Sequence, residues 1–73
     1  MNREEWLLTQ LLSECNELAH RVTKALQFGL NDIQEGQEQT NTERLLDEYH
    51  DLVGAMFALV SEGVIPDADA PIS

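Results

Sequence analysis

Apolar residues recur along the first part of the chain at Leu8, Leu11, Cys15, Leu18, Val22 and Ala25, an alternation of threes and fours that predicts one face of a long helix. Leu7, Leu12, Ala19 and Leu26 widen that face. The pattern predicts a helix from about Asn2 to Phe28, opened by a capping pair formed by Asn2 and Glu5 and stopped by Gly29. Residues 30–41 mix Gly, Asn, Gln and acids without periodicity and read as a connector. A capping box at Thr40 and Glu43 announces a second helix, from about Thr42 to Ser61, with an inner face of Leu45, Tyr49, Leu52, Met56 and Leu59. Leu46, Val53 and Val60 widen this second stripe, and Gly54 inside it suggests close helix packing. Gly63 ends the pattern, so residues 1–63 form a helical domain and residues 64–73, with Pro66 and Pro71, form an extended or disordered tail.

The expected fold is therefore all-α, two long helices joined by a connector. Two helices with such wide apolar stripes cannot cover each other, and 73 residues enclose little core. A homodimer or homotetramer built as a four-helix-bundle-type oligomer is the expected remedy.

Composition narrows the function. Fourteen Asp and Glu against four Lys and Arg, a formal charge of −10, oppose binding to nucleic acid or to an anionic membrane. No apolar run has the length of a membrane span, and the N-terminal Met1-Asn2-Arg3-Glu4-Glu5 lacks the pattern of a signal peptide. A single cysteine, Cys15, excludes an internal disulfide and suits a reducing cytoplasm.

Within the helical patterns lie two acid pairs, Glu14-x-x-Glu17 and Glu48-x-x-Asp51. Residues three apart on a helix have Cβ atoms roughly 5–6 Å from each other, so each pair can direct two carboxylates at one cation. Both pairs border an apolar ridge, where ionised groups need compensation and a hard cation supplies it. The all-oxygen set fits Mg2+, with Mn2+ as a substitute. A plain hairpin, however, sets the first pair roughly 19 Å before the end of helix 1 and the second roughly 10 Å into helix 2. The pairs can meet only if the connector folds back along helix 1 or if a neighbouring subunit supplies one of them.

Arg21 and Lys24 continue the line of Glu14 and Glu17. A surface ion pair between Glu17 and Arg21 is the plain expectation, and a Lys24 that reaches a substrate phosphate is the sharper one. Asn41 either caps helix 2 or touches sugar or phosphate. Trp6 suits a core or interface position better than a stacked nucleobase, and His20 and His50 suit surface or hydrogen-bonded helix positions better than proton transfer. Cys15 reads as a small buried hydrophobe and Tyr49 and Phe57 as packing residues.

The stretch from Leu12 to Gly29, followed by Asn41 and by Leu46-Asp-Glu-Tyr-His-Asp-Leu-Val53, resembles the MazG-like all-α nucleoside triphosphate pyrophosphohydrolases, in particular their short phage-type members. The resemblance covers residues 7 to 60. It implies that Glu14, Glu17, Glu48 and Asp51 hold magnesium, that Glu17 and Glu48 take part in catalysis, and that Lys24 and Asn41 touch the substrate. It implies a reaction as well, attack of a metal-activated water on the α-phosphorus of a nucleoside triphosphate with release of pyrophosphate, in the cytoplasm of a bacterium or of a phage-infected host. The competing expectations are a helical module on the same scaffold that binds a nucleotide or a protein without turnover, and an acidic helical dimer whose carboxylates are merely solvated.

Overall fold

A computed structural model describes residues 1–67. Among them the elements are two α-helices, α1 (Arg3–Phe28) and α2 (Asn41–Ser61), folded against each other as an antiparallel hairpin. No helix of the described residues is long and apolar enough to cross a membrane.

Both starts are written locally. The Asn2 side chain accepts from the Glu5 amide while Glu5 reaches back to the Asn2 amide, and Thr40 and Glu43 repeat the exchange at α2. Each box satisfies amides that a helix start leaves without intrahelical partners. Gly29, at φ +94°, takes a left-handed conformation that a β-carbon would strain, and its amide closes α1 on the Ala25 carbonyl at 2.8 Å. At the far end Gly63 turns the chain, and the Val64 amide bonds to the Leu59 carbonyl at 2.9 Å. Val64 and Ile65 are thereby half-buried, so the expected tail begins as a folded cap on α2, while residues 68–73 lie outside the described residues.

The connector doubles back. The Asn41 amide donates to the Asp32 carbonyl and the Thr42 amide to the Leu30 carbonyl, each at 2.9 Å. The Asn41 side-chain amide donates to the Gly29 carbonyl and the Thr42 hydroxyl to the Leu30 carbonyl. These bonds close the loop at its base, as in a compact Ω-type loop. The register follows from two pairings: Arg3 is ion-paired with Glu62, and the carboxylates of Glu14 and Asp51 lie within 4.8 Å, eleven residues further on each helix (14 − 3 and 62 − 51). Ten residues beyond, the same register sets Asn41 level with Lys24, so the last turn of α1 overhangs the start of α2 by ~6 Å. That overhang supplies most of the ~9 Å by which the acid pairs miss each other in a plain hairpin.

The inner faces are rotated from those expected. Leu7, Leu11, Leu18 and Ala25 of α1 meet Leu45, Leu52, Ala55 and Leu59 of α2, whereas Leu8, Cys15, Val22, Tyr49 and Met56 are exposed. The stripes are wider than one neighbouring helix can cover, and periodicity does not say which flank a neighbour takes. In the hairpin it takes the flank that carries the acids. Cys15 is consequently an exposed thiol and not a buried hydrophobe. Gly54 does not serve close packing either, since a β-carbon built there meets nothing within 4 Å.

The other flank stays open. Leu8, Leu12, Val22 and Leu26 on α1, and Leu46, Tyr49, Val53 and Met56 on α2, are all exposed; Leu12 and Leu26 reach 61% and 82%. At about 100° per residue these stripes share one side of the hairpin, away from the acids. Among the described residues the buried hydrophobics are Leu7 and Leu59 alone, a core far smaller than the apolar face beside it.

Candidate metal centre

The face opposite the open apolar stripe carries the acids. One carboxylate oxygen from each of Glu14, Glu48 and Asp51 lies within 4.8 Å of the others, so three of the four acids marked out by spacing converge within a single chain. No neighbouring subunit is needed to bring the two pairs together. Glu14 and Glu48 are half-buried between the helices and Asp51 is exposed at their edge. Glu17, also exposed, stands outside this group of three yet close enough to act on Glu48 through space.

The Glu48 carboxyl is pushed above the usual carboxylate range, by burial first and then by the charges of Asp51, Glu17 and Glu14, with Arg21 pulling the other way. A carboxyl whose folded value is raised destabilises the fold when ionised, and that cost is relieved as the pH falls through the raised value. The apo site is thus short of positive charge, and its donors are all hard oxygens, a combination that suits a divalent cation such as Mg2+ or Mn2+.

Arginine meets the site from one end, although not as a surface ion pair. Among the described residues Glu17 and Arg21 form no salt bridge; the Arg21 side chain turns inward and is buried, with its guanidinium donating to Gln34 Oε1 at 3.4 Å. Arg44 Nη1 donates to the same oxygen. One neutral amide from the connector therefore holds a guanidinium from each helix and ties the loop to both. Nothing in the sequence marked Gln34, because a connector residue has no periodicity from which a partner can be inferred. Arg44 was equally unmarked, and Arg21 was marked for a different role.

The remaining candidates are dispersed. Asn41 is 1% exposed, its side-chain nitrogen occupied by the Gly29 carbonyl and its Oδ1 left without a hydrogen-bond partner, so the structure sets it at the base of the connector. Lys24 is half-buried with its ammonium 5.7 Å from the centre of the Phe28 ring. His20 is exposed, and His50 is exposed with its ring tilted against Tyr49.

Beside the carboxylates a groove of about 340 Å³ runs between the N-terminal half of α1 and the C-terminal half of α2. Glu14 and Asp51 form part of its wall, with Trp6, Gln10, His50 and Gly54. Trp6 carries the Arg3 guanidinium 4.8 Å from its ring centre, and Arg3 is held in turn by Glu62 through bonds of 2.9 to 3.2 Å. Comparison with protein-family models, with curated proteins and with solved structures finds no match for the chain.

Proposed function

We propose that the protein is a magnesium-dependent nucleotide pyrophosphohydrolase that converts a nucleoside triphosphate to the monophosphate and pyrophosphate. The observation that carries this reading is the convergence of Glu14, Glu48 and Asp51 within 4.8 Å across the hairpin. The resemblance of residues 7 to 60 to the MazG-like enzymes supports it, since that family uses an E-x-x-E and an E-x-x-D pair on two helices for this reaction.

Glu14, Glu48 and Asp51 would hold the cation. When bound, a divalent ion there supplies charge neutralisation for a triphosphate that this acidic chain otherwise repels, and it lowers the pKa of a nearby water. Glu17 stands beside the three without belonging to them, which suits a carboxylate that orients the attacking water and accepts its proton. Attack at the α-phosphorus forms one P–O bond and breaks the bond to the bridging oxygen, and pyrophosphate leaves. Lys24, one turn beyond Arg21 and of opposite sign to the acids, would steady the departing phosphates.

The protein acts as a homodimer in this proposal. The open stripe of Leu8, Leu12, Val22, Leu46, Val53 and Met56 joins a second copy into a four-helix bundle and leaves the acid face free.

Incubation with a panel of nucleoside triphosphates and Mg2+ is expected to yield monophosphate and pyrophosphate in equal amounts. Glu48→Gln should lower the rate by more than ~100-fold, since loss of even an outer-shell partner of a metal costs up to that much. Nucleotide that binds with Mg2+ and is never hydrolysed would replace the enzyme by a binding module.

A further inference from the structure

We infer that the groove between Trp6 and Gly54 is the site for the nucleoside half of the substrate, with the base stacked on the Trp6 indole. This inference rests on the reading of the acid cluster as the triphosphate end of the same site.

The groove has two chemically different ends. Glu14 and Asp51 at one end belong to the converging carboxylates, and Trp6 closes the other. Eight residues separate Trp6 from Glu14 on α1, a rise of ~12 Å, enough for one sugar and one base laid along the helix. A ligand that spans both ends must be anionic where the cation binds and flat and apolar where the indole stands. A nucleotide has that polarity along its length, whereas a free phosphate lacks the flat end and a lipid chain lacks a planar face.

The indole is prepared for stacking. Trp6 is 44% exposed although it borders the groove, and the Arg3 guanidinium, ion-paired with Glu62, lies over one face of its ring, so a base would stack on the other. A ring held in one orientation loses little freedom when a base is laid against it. Between the two ends the small apolar side chains of Ala55 and Ala58 line the groove with Leu7, and Gly54 leaves its stretch of wall without a side chain, where a β-carbon would stand in open space. Helix α2 tolerates its least favourable non-proline residue at that point without any packing reason for it. Gln10 and His50 flank the trough with an amide and an imidazole, the groups that bond the edges of bases.

Trp6 is the single tryptophan of the chain, so its emission reports this groove alone. The test uses the full chain with Mg2+ and three probes: a deoxynucleoside triphosphate, inorganic tripolyphosphate and a free nucleoside. The nucleotide should quench Trp6. Tripolyphosphate should bind by calorimetry without quenching, and the nucleoside should quench weakly at high concentration. Gly54→Leu puts a side chain on the groove wall at a position whose β-carbon meets nothing within 4 Å; it should weaken the nucleotide about tenfold or more, as loss of base stacking does, while tripolyphosphate stays within about twofold. Trp6→Leu should raise KM for the nucleotide.

Nucleotide binding that leaves Trp6 emission unchanged and is indifferent to Gly54→Leu would overturn the inference while the enzyme reading stands. If neither nucleotide nor tripolyphosphate binds with Mg2+, both readings fall together.

Discussion

Replacing Glu48 by glutamine should change the stability of the protein in opposite directions with and without magnesium. In the apo hairpin the Glu48 carboxylate is half-buried and repelled by Asp51, Glu17 and Glu14, against which Arg21 offers partial relief. A like-charge neighbour on a helix costs about 0.2–0.5 kcal/mol, so removing one charge from three neighbours should stabilise the apo protein by about 0.5–1.5 kcal/mol. For a domain of this size that corresponds to a rise in Tm of about 2–12 °C. Glutamine keeps the volume, so packing should not obscure the electrostatic gain. With magnesium the order inverts. A cation present at 100 times its Kd stabilises the wild type by ~2.7 kcal/mol, or roughly 10–20 °C, and the variant, lacking one carboxylate of three, should gain little of this. Thermal unfolding at low salt and fixed protein concentration, with and without MgCl2, measures both shifts. A Glu48→Gln protein that is less stable than wild type without magnesium would refute the charge argument. One that gains as much from magnesium as wild type would refute the metal site.

Other consequences follow from the same geometry. Gln34→Ala removes the acceptor shared by Arg21 and Arg44 and should cost about 1 kcal/mol or more, whereas Gln34→Glu gives two guanidiniums a carboxylate and should stabilise; urea unfolding that finds Gln34→Glu weaker than wild type would sink the latch. The Glu62 carboxyl is held below its usual range by its hydrogen bonds to Arg3. Its contribution is therefore present above the ordinary carboxylate range and lost as the pH falls through the depressed folded value, so Trp6 emission should shift on acidification in wild type and show no such step in Glu62→Gln. Val53→Glu places a charge in the middle of the open apolar face and should halve the mass that sedimentation finds for the proposed dimer; a wild type that sediments as a monomer, or a variant of unchanged mass, would refute that assembly.

The two helices and their ends are written in local sequence. Asn2 with Glu5, and Thr40 with Glu43, are short-range exchanges of hydrogen bonds between neighbours, and Gly29 terminates α1 by a conformation that its own lack of a β-carbon permits. All of this is settled within four residues of chain, and so is the pairing of acids at a spacing of three. Tertiary structure decided which flank of each helix meets the other. Each stripe is apolar over more than one helix can cover, so Leu8 and Tyr49 were as eligible for the interior as Leu7 and Leu52, and the expected faces were off by part of a turn. The choice belongs to long-range bonds: Asn41 on Gly29, Thr42 on Leu30, and Gln34 between Arg21 and Arg44. Those bonds set the overhang of α1 over α2, and that overhang carries Glu14 to Asp51 and opens the groove from the carboxylates to Trp6. Register between two helices is a property of contacts distant in sequence, which is why spacing along one helix could mark the acids and not show that they meet.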